Sequence, residues 1–545
     1  MSGAIGGSDP TVGLPMTGSE GMPAPPAPRR SFLAFPPRPI RRERWPRRLL
    51  AGAATVDQWA EALLDRLVSP SLNPLYHSGT IAVFSLAVAT VTGLYLFVFY
   101  RVGTEAAHRS IEGIMAHPLG IGALMRSLHR YASDAAILAA VLHGLKMLLD
   151  DRFWGARWIG WVSGLSLLSL VWVTGATGYW LVWDVQAQIL SVTTAKLLDV
   201  LPIFGEPLVR TFVDSERIQT FLFFLVLFAH ISIPFLLGAA YWFHVMRLSR
   251  ARFMPPRVVL WVTGAALVVA SLVRPAVSGL PADLSRLPGL VPIDWFYFFY
   301  FPLTGLDPKV GGALTFGAGL VAVALPWLLR GPAPARARVD NPACTGCTRC
   351  WKDCPYEAIV MVPRQEGGRY KQVAVVNPAK CVGCGICLGA CDSAGILLGD
   401  QPVSVLGEAV TWRLRAASAA GEGPPVVVYA CRLMGRLGET LSADGSLAGV
   451  PGVTVMGLPC VGMLHPEMIT KTLSAGARGV FVAGCVPENC SAREGSRWLA
   501  ERLSGRRLPS LKGLPEGRLV VRWYAPVEVD RFLRDLAAFQ RRLVA

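Results

Sequence analysis

Two long apolar stretches each carry a pair of histidines fourteen residues apart: His129 and His143 within RSLHRYASDAAILAAVLH, and His230 and His244 within AHISIPFLLGAAYWFH. Fourteen residues are almost four α-helical turns, so the two imidazoles of a stretch share a face about 21 Å apart along the axis. In a hydrocarbon layer about 30 Å thick, each helix then offers one histidine to each leaflet. Two such helices face to face form two stacked pairs, His129 with His230 and His143 with His244. Each pair can clamp the iron of a haem from both sides. A lone histidine in a membrane helix is commonly just a hydrogen-bonded polar residue. The matched spacing argues against that here. Of eight histidines, the four deep in apolar segments form the pairs, while His77, His108, His117 and His465 lie at segment ends or outside. Glycines repeat the interval: Gly79 and Gly93 in one neighbouring apolar segment, Gly164 and Gly178 in another, are also fourteen apart. Flat macrocycles at two depths need gaps at the same two depths.

Residues 55 to about 250 resemble cytochrome b of the quinol–cytochrome c and plastoquinol–plastocyanin oxidoreductases. The resemblance rests on the paired histidines and glycines, Arg126 three residues before the first ligand, GYWLVW at 178–183 and PIFG at 202–205. It implies two b-type haems, a propionate contact for Arg126, and quinone binding near each membrane face. One departure is Val182, which stands where the family has proline.

With 545 residues, 52% of them hydrophobic and 17% charged, the chain suits a multidomain membrane protein whose soluble parts are modest. The net charge of +16 is partly concentrated in residues 29–48, which hold eight arginines among prolines. This basic arm, residues 1–50, is expected to be disordered and drawn to anionic lipid rather than to nucleic acid. TVDQWAEALLDRLV (55–68) is amphipathic, with Trp59, Leu63, Leu64 and Leu67 on one face, and Thr55 and Gln58 have capping-box spacing. It is expected to lie on the membrane surface.

About six spans follow, near 78–100, 121–149, 158–183, 217–246, 257–273 and 311–329. The first four complete a haem-binding region over 51–250, and 251–332 adds the last two. Basic residues collect on one side: the N-terminus, Lys146, Arg152 and Arg157, then Arg247, Arg250, Arg252 and Arg257, and finally Arg330, Arg336 and Arg338. The positive-inside rule makes that side the cytoplasm of a multi-pass protein in the cell membrane. His143 and His244 are then the cytoplasmic pair. Between spans five and six, VPIDWFYFFYFPL (291–303) resembles the family's Pro-Glu-Trp-Tyr segment, with Asp294 in the place of the acid and an extra Ile293. The resemblance implies that Asp294 takes a quinol proton; the plainer reading is an interfacial aromatic belt with one solvated aspartate.

All twelve cysteines follow residue 343. Cys344, Cys347, Cys350 and Cys354 read C-x2-C-x2-C-x3-C before Pro355, and Cys381, Cys384, Cys387 and Cys391 repeat it, with Asp392 where proline is usual. The doubled run predicts two [4Fe–4S] clusters in a ferredoxin-like domain over 338–400. The first three cysteines of each run hold one cluster and the fourth crosses to the other. Cys344, Cys347, Cys350 and Cys391 then form one site, and Cys381, Cys384, Cys387 and Cys354 the second. Zinc ribbons do not need the fourth cysteine or a second full copy, and a cytoplasmic location disfavours disulfides.

A linker rich in small residues leads to 421–545, a small α/β domain with a mostly parallel sheet. PPVVVYAC, GVTVMGLPC and GVFVAGC bring Cys431, Cys460 and Cys485 to strand C-terminal ends, and Cys490 lies at the start of a helix. Four thiols at one rim suit a [2Fe–2S] cluster, zinc, or simple burial. The segment GLPCVGMLHPEMITKTLSAGARGVFVAGCVPENC is similar to the small iron–sulfur (delta) subunit of methyl-viologen-reducing hydrogenase. That resemblance implies [2Fe–2S], and it implies a heterodisulfide-reductase-like, hydrogenase or flavin oxidoreductase partner. Its first motif is reduced, since only Cys431 stands where relatives often show adjacent cysteines. His465 is expected to start a helix rather than to bind metal.

No Rossmann glycine fingerprint or P-loop is present, so the end reaction is expected on the partner. The expected function is an oxidoreductase subunit relaying electrons between the quinone pool and that partner. The alternative is a haem- and cluster-carrying membrane anchor without quinone chemistry. The resemblance to the cytochrome also admits a homodimer.

Overall fold

A computed structural model describes residues 45–202, 205–212, 220–246, 251–286, 294–304, 307–331, 333–365, 369–419, 423–431, 445–447, 449–513 and 517–544. The basic arm up to residue 44, Ile203 and Phe204 of PIFG, Arg247, Arg250, Ile293 and Gly421 lie outside these residues.

Helix α1 (Trp45–Val68) begins earlier than the amphipathic stretch expected at 55–68. Thr55 therefore sits inside the helix, with its hydroxyl donating to Ala51 O at 3.0 Å, and no capping box forms with Gln58. One face buries Glu61 and Ala62 while Trp59, Leu63 and Leu67 stay exposed. Such an apolar stripe is what a helix on a membrane surface presents.

The bundle continues through α2 (Pro74–Phe99), α3 (Ala106–Met115), α4 (Ile121–Leu149), α5 (Trp158–Val182), α6 (Val185–Leu198), α7 (Thr220–Val245), α8 (Arg257–Val273), α9 (Phe301–Thr304) and α10 (Pro308–Leu328). Asparagine and aspartate start two of its long helices by accepting from orphan amides. Asn73 takes Leu75 N at 3.0 Å ahead of Pro74, and Asp307 takes Lys309 N at 2.7 Å ahead of Pro308. The glycine-bearing α2 packs along the histidine-bearing α4, and α5 packs in the same way along α7.

Five of the described helices, α2, α4, α5, α7 and α10, are long and apolar enough to cross a membrane, against the six spans expected. The exception, α8, has 17 residues, about 26 Å of helix against about 30 Å of hydrocarbon. It still runs along α4: Arg274 O, just past its end, accepts from Tyr131 Oη at 2.6 Å. Gly264, at its middle, faces Phe84 of α2.

After α10 the chain forms β1 (Ala337–Val339), α11 (Arg349–Lys352), β2 (Ile359–Pro363), β3 (Gln372–Val376), α12 (Ile386–Gly389), β4 (Ile396–Leu398) and β5 (Gln401–Pro402). The expected linker is instead a helix, α13 (Ser404–Ala419). Its small residues mask a helical period: Leu406, Ala409, Val410 and Leu414 are buried in the shared core, which outweighs the low density of large apolar side chains.

The C-terminal unit comprises β6 (Val426–Cys431), β7 (Ser446–Leu447), β8 (Val450–Leu458), α14 (Pro466–Ser474), β9 (Gly479–Cys485), α15 (Gly495–Leu503), β10 (Leu519–Tyr524) and α16 (Val529–Val544). Its five strands lie in the order β10-β9-β6-β8-β7, all parallel except β7. The fold is thus multidomain, a membrane helical bundle followed by a four-cysteine repeat and a small α/β unit. Cys490 departs from expectation. It follows a single turn, Pro487–Asn489, and precedes α15 by five residues, so it lies in a loop rather than at a helix start.

Candidate functional site

His129 and His230 face each other across the bundle with ring centroids 6.1 Å apart. A metal–imidazole nitrogen bond is about 2 Å long, as at zinc, so one metal ion can sit between the rings. Their Nδ1 atoms are already engaged: His129 with Ala89 O at 2.8 Å, His230 with Thr174 O at 2.9 Å. His244 Nδ1 meets Ser163 Oγ at 2.8 Å. Holding Nδ1 in this way orients these three rings and leaves Nε2 for a metal.

The four spaced glycines each oppose one histidine. A β-carbon on Gly93 would come 2.8 Å from His129 Cε1, on Gly178 2.9 Å from His230 Cε1, on Gly79 3.1 Å from His143 Cε1, and on Gly164 3.3 Å from His244 Cε1. The glycines therefore make room for the imidazoles themselves, whereas the sequence pointed to room for the macrocycles. A continuous cavity of about 1120 Å³ passes all four rings. Arg126 lines it, donating to Ser278 Oγ at 2.8 Å, while its buried Nη1 makes no hydrogen bond and lies 3.9 Å from Glu112. A propionate would satisfy that donor. The residues present fit b-type haem.

At the end of the bundle near His129, Asp294 is not a solvated belt residue. Arg130 and Tyr179 Oη both hydrogen-bond Asp294 Oδ2, and Phe296 N donates to Oδ1 at 2.9 Å. The same guanidinium reaches Asp134 at 2.5 Å. Ser133 and Tyr297 share a hydrogen bond of 2.7 Å beside it, and Tyr297 packs onto Gly175. The sequence reading missed Arg130, Asp134 and Tyr179. An arginine and an aspartate four residues apart inside an apolar span were the available signal, because charges there rarely occur without a task.

At the opposite end, near His143, the membrane part meets the cysteine domains. Lys146 pairs with the buried Glu61 of α1, and Glu61 Oε2 also accepts from Asn489 Nδ2 at 3.0 Å. Arg152 donates to Asn489 O at 3.0 Å, and Arg157 donates to Ser491 O at 2.7 Å and Tyr356 Oη at 2.9 Å. Asn489 and Ser491 flank Cys490, and Tyr356 follows Cys354 by two residues. The cavity past the histidines reaches Tyr356, Lys380, Asn489 and Cys490.

The two cysteine runs fold alike. Gly346 and Gly383 adopt left-handed backbone (φ 64° and 70°), as do Thr348 and Gly385 (67° and 76°). A β-carbon on Gly346 would lie 2.4 Å from Gln372 O, and on Gly383 2.3 Å from Ala335 O, which is why those two turns take glycine. Cys350 is surrounded by Cys344, Cys347 and Cys391, and Cys387 by Cys381, Cys384 and Cys354, so the fourth cysteine of each run crosses over. Burial pushes the Cys350 and Cys384 thiols up to about 12, where without a metal they stay protonated. Iron bound there would deprotonate them. Ala358 N and Ala337 N point at Cys354 and Cys381 sulfurs at 3.3 and 3.4 Å, the amide–sulfur contacts a cluster uses.

In the C-terminal unit Cys431 and Cys485 sulfurs are 3.0 Å apart, with Cys460 and Cys490 against the same pair and all four buried. A β-carbon on Gly495 would strike Cys460 Sγ. His465 caps α14 through Nδ1, accepting from Glu467 N at 3.2 Å, and meets Asp392 through Nε2 at 3.1 Å. Asp392, the residue in place of proline, thereby ties the two cysteine domains together.

Residues 63–252 match the family described as cytochrome b/b6/petB. The chain carries a cytochrome b domain. The domain's histidine and glycine quartets all lie within the matched residues. Residues 343–394 match the 4Fe-4S dicluster domain, and residues 426–545 the delta subunit of methyl-viologen-reducing hydrogenase. Among curated proteins, cytochrome b of Acanthamoeba castellanii is 23% identical over 296 residues, 48% of this chain and 75% of that one. Among solved structures, a chain of a hyperthermophilic respiratory Complex III shares 18% identity with a TM-score of 0.37, covering 47% of this chain and 75% of that one. A cytochrome b domain joined to iron–sulfur domains makes this a membrane electron-transfer subunit of the oxidoreductase type, with b-type haem and iron–sulfur centres as its implied cofactors.

Proposed function

We propose that this chain relays electrons between the quinone pool and a soluble redox partner, through two b-type haems, two [4Fe–4S] clusters and a [2Fe–2S] cluster. His129 with His230, and His143 with His244, are the proposed haem ligands, and Arg126 a propionate partner. Cys344, Cys347, Cys350 and Cys391 hold one [4Fe–4S], and Cys381, Cys384, Cys387 and Cys354 the other. Cys431, Cys460, Cys485 and Cys490 hold the [2Fe–2S]. The observation that carries this reading is the continuous cavity, which passes both imidazole pairs and ends against Tyr356 and Cys490. When bound, haem and clusters supply one-electron exchange without bond-making. The chain's own residues fix their spacing and hold the His129, His230 and His244 rings through Nδ1.

Asp294 is the proposed acceptor of a quinol proton, now seen as one carboxylate of two sharing Arg130. Two carboxylates against one guanidinium leave one negative charge in an apolar setting, and binding a proton relieves it. Lys146, Arg152 and Arg157, all on the side of the cysteine domains, support a cytoplasmic position for the clusters by the positive-inside rule. A heterodisulfide-reductase-like, hydrogenase or flavin subunit is the proposed partner class.

Anaerobic purification followed by optical and paramagnetic-resonance spectra tests the cofactor count. Two haems and three cluster signals are expected, with haem reduced by a quinol analogue. A protein colourless in the Soret region sinks the reading. Haem that no quinol reduces leaves a membrane anchor in its place.

A further inference from the structure

The cluster order that a straight chain of domains suggests, with the C-terminal site last, conflicts with which sites are covered. Cys431, Cys460, Cys485 and Cys490 are 1%, 1%, 5% and 4% exposed. Their loop is held by Arg152 and Arg157 on the bundle side. On the other side Ile386 and Cys384 pack against Cys460 and Cys490, and Met463 fills the space above Gly385. Arg502, fully buried, locks this contact by donating to Gly462 O at 2.9 Å and Asp353 Oδ2 at 2.6 Å. The four-thiol site is thus enclosed between the membrane part and the second cysteine site, whose partly buried Cys384 packs into the same contact.

The first cysteine site is different. Cys347 is exposed. Gly346 O accepts from Gln372 Nε2 at 3.1 Å, and Cys344 O from Arg364 at 2.7 Å, both within the same cysteine domain. Lys352, Arg364, Arg369 and Lys371 belong to the same domain, Arg349 is paired with Asp392, and Trp351 is 48% exposed. Residues 344–380 hold three carboxylates, Asp353 (buried and paired with Arg502 and Arg507), Glu357 and Glu366, against six basic side chains. This face is therefore positive and reaches within one side chain of a cluster site.

We propose that the surface around Cys347 is the port through which this chain exchanges single electrons with a soluble protein carrier that presents an acidic face. The inference rests on the cluster assignments of the proposed function and adds where the wire ends. One electron passes between the cluster at Cys344, Cys347, Cys350 and Cys391 and an iron–sulfur or flavin centre of the carrier; no bond or proton changes hands. Opposite charge steers the encounter and sets its salt dependence. Cys347 supplies the exposed edge, and the four-thiol site becomes an internal relay at the membrane junction.

The test uses the full-length, anaerobically purified protein with an acidic 2[4Fe–4S] ferredoxin as the probe. Binding and stopped-flow electron exchange are read at low and high salt, with paramagnetic-resonance spectra confirming that clusters are retained. R369E/K371E, on exposed side chains, is expected to lower association by about tenfold or more and to flatten its salt dependence. R534E/R541E, on the exposed face of α16, is expected to leave both unchanged. Equal binding by R369E/K371E, loss through R534E/R541E instead, or no binding by the unaltered protein with clusters present overturns the port alone. Absence of [4Fe–4S] signals in the unaltered protein overturns the port together with the proposed function.

Discussion

The two ends of the cytochrome b domain hold like pairs of imidazoles in unlike settings. At the end of His129 and His230, the opposing glycines leave 2.8 and 2.9 Å for a β-carbon; at the end of His143 and His244 they leave 3.1 and 3.3 Å. The first end keeps its charges within the bundle, as Arg130 between Asp134 and Asp294. The second spends them across a domain boundary, through Glu61, Lys146, Arg152 and Asn489. One end keeps an arginine between two carboxylates inside the bundle, and the other holds the chain's own cysteine domains against the cavity. The same histidine spacing thus lies in two different settings because the neighbours differ, and the proposed quinol chemistry belongs to the first of them.

The sharpest break would come from the histidines. His129→Leu should abolish the haem at one end and leave the other, halving the Soret absorbance per protein, and His143→Leu should do the reverse. Equal loss from either change would mean that the two sites fold as one. Next, Arg130→Leu leaves two carboxylates without their counter-charge. Breaking a fully buried pair costs about 3–5 kcal/mol; with Arg130 31% exposed the loss here is expected to be smaller, and the thermal midpoint in detergent should still drop below that of Asp294→Asn. Asp294→Asn itself should keep both haems while slowing their reduction by a quinol analogue; unchanged reduction would leave the Asp294 site without that role.

The glycines refine the contrast. Gly93→Ala should lower haem content or shift the midpoint potential at its site, whereas Gly164→Ala, with an extra 0.5 Å, should bind haem near normally. Potentiometric titration of the two haem bands reads both. A smaller effect is expected at the junction. Asn489→Ala removes the side-chain hydrogen bonds that Oδ1 accepts from Arg152 and Nδ2 donates to Glu61, worth about 1 kcal/mol each, and keeps the bond from Arg152 to its backbone carbonyl. It should slow haem-to-cluster transfer in flash or stopped-flow traces while spectra of the separate centres stay the same.

The smallest effect is a pH response outside the membrane. Burial holds the His465 imidazole below its ordinary value near 6.5. Its neutral form is therefore favoured in the folded state, so the stability it contributes is present above about pH 6.5 and lost as pH falls through and below that value. Thermal midpoints should decline on acidification from pH 8 to pH 5.5, and less so in His465→Gln.

Legibility in the sequence followed the range of the interaction. His129, His143, His230 and His244 announced themselves because helical period converts a sequence interval directly into a spatial one. The cysteine runs did so because one loop wraps one site, and even the crossing of Cys354 and Cys391 follows from the doubled motif. The helix α13 was hidden by its small residues, and Thr55 looked like a cap because nothing local revealed the turns preceding it. Arg130, Asp134 and Asp294 are separated by up to 164 positions, and only the path of the chain after α8 brings them together.

What the sequence by itself determined is the set of candidate cofactor-binding side chains and the elements that bear them, since periodicity and spacing are local properties of a backbone. What only the tertiary structure decided is which thiol site is covered and which is exposed, and that an arginine stands between the two aspartates. Those depend on surfaces meeting: Arg152 and Arg157 against the Cys490 loop, and Ile386 and Met463 between the cysteine domains. Burial is set by a neighbour far away in the chain, and no interval within one segment encodes it.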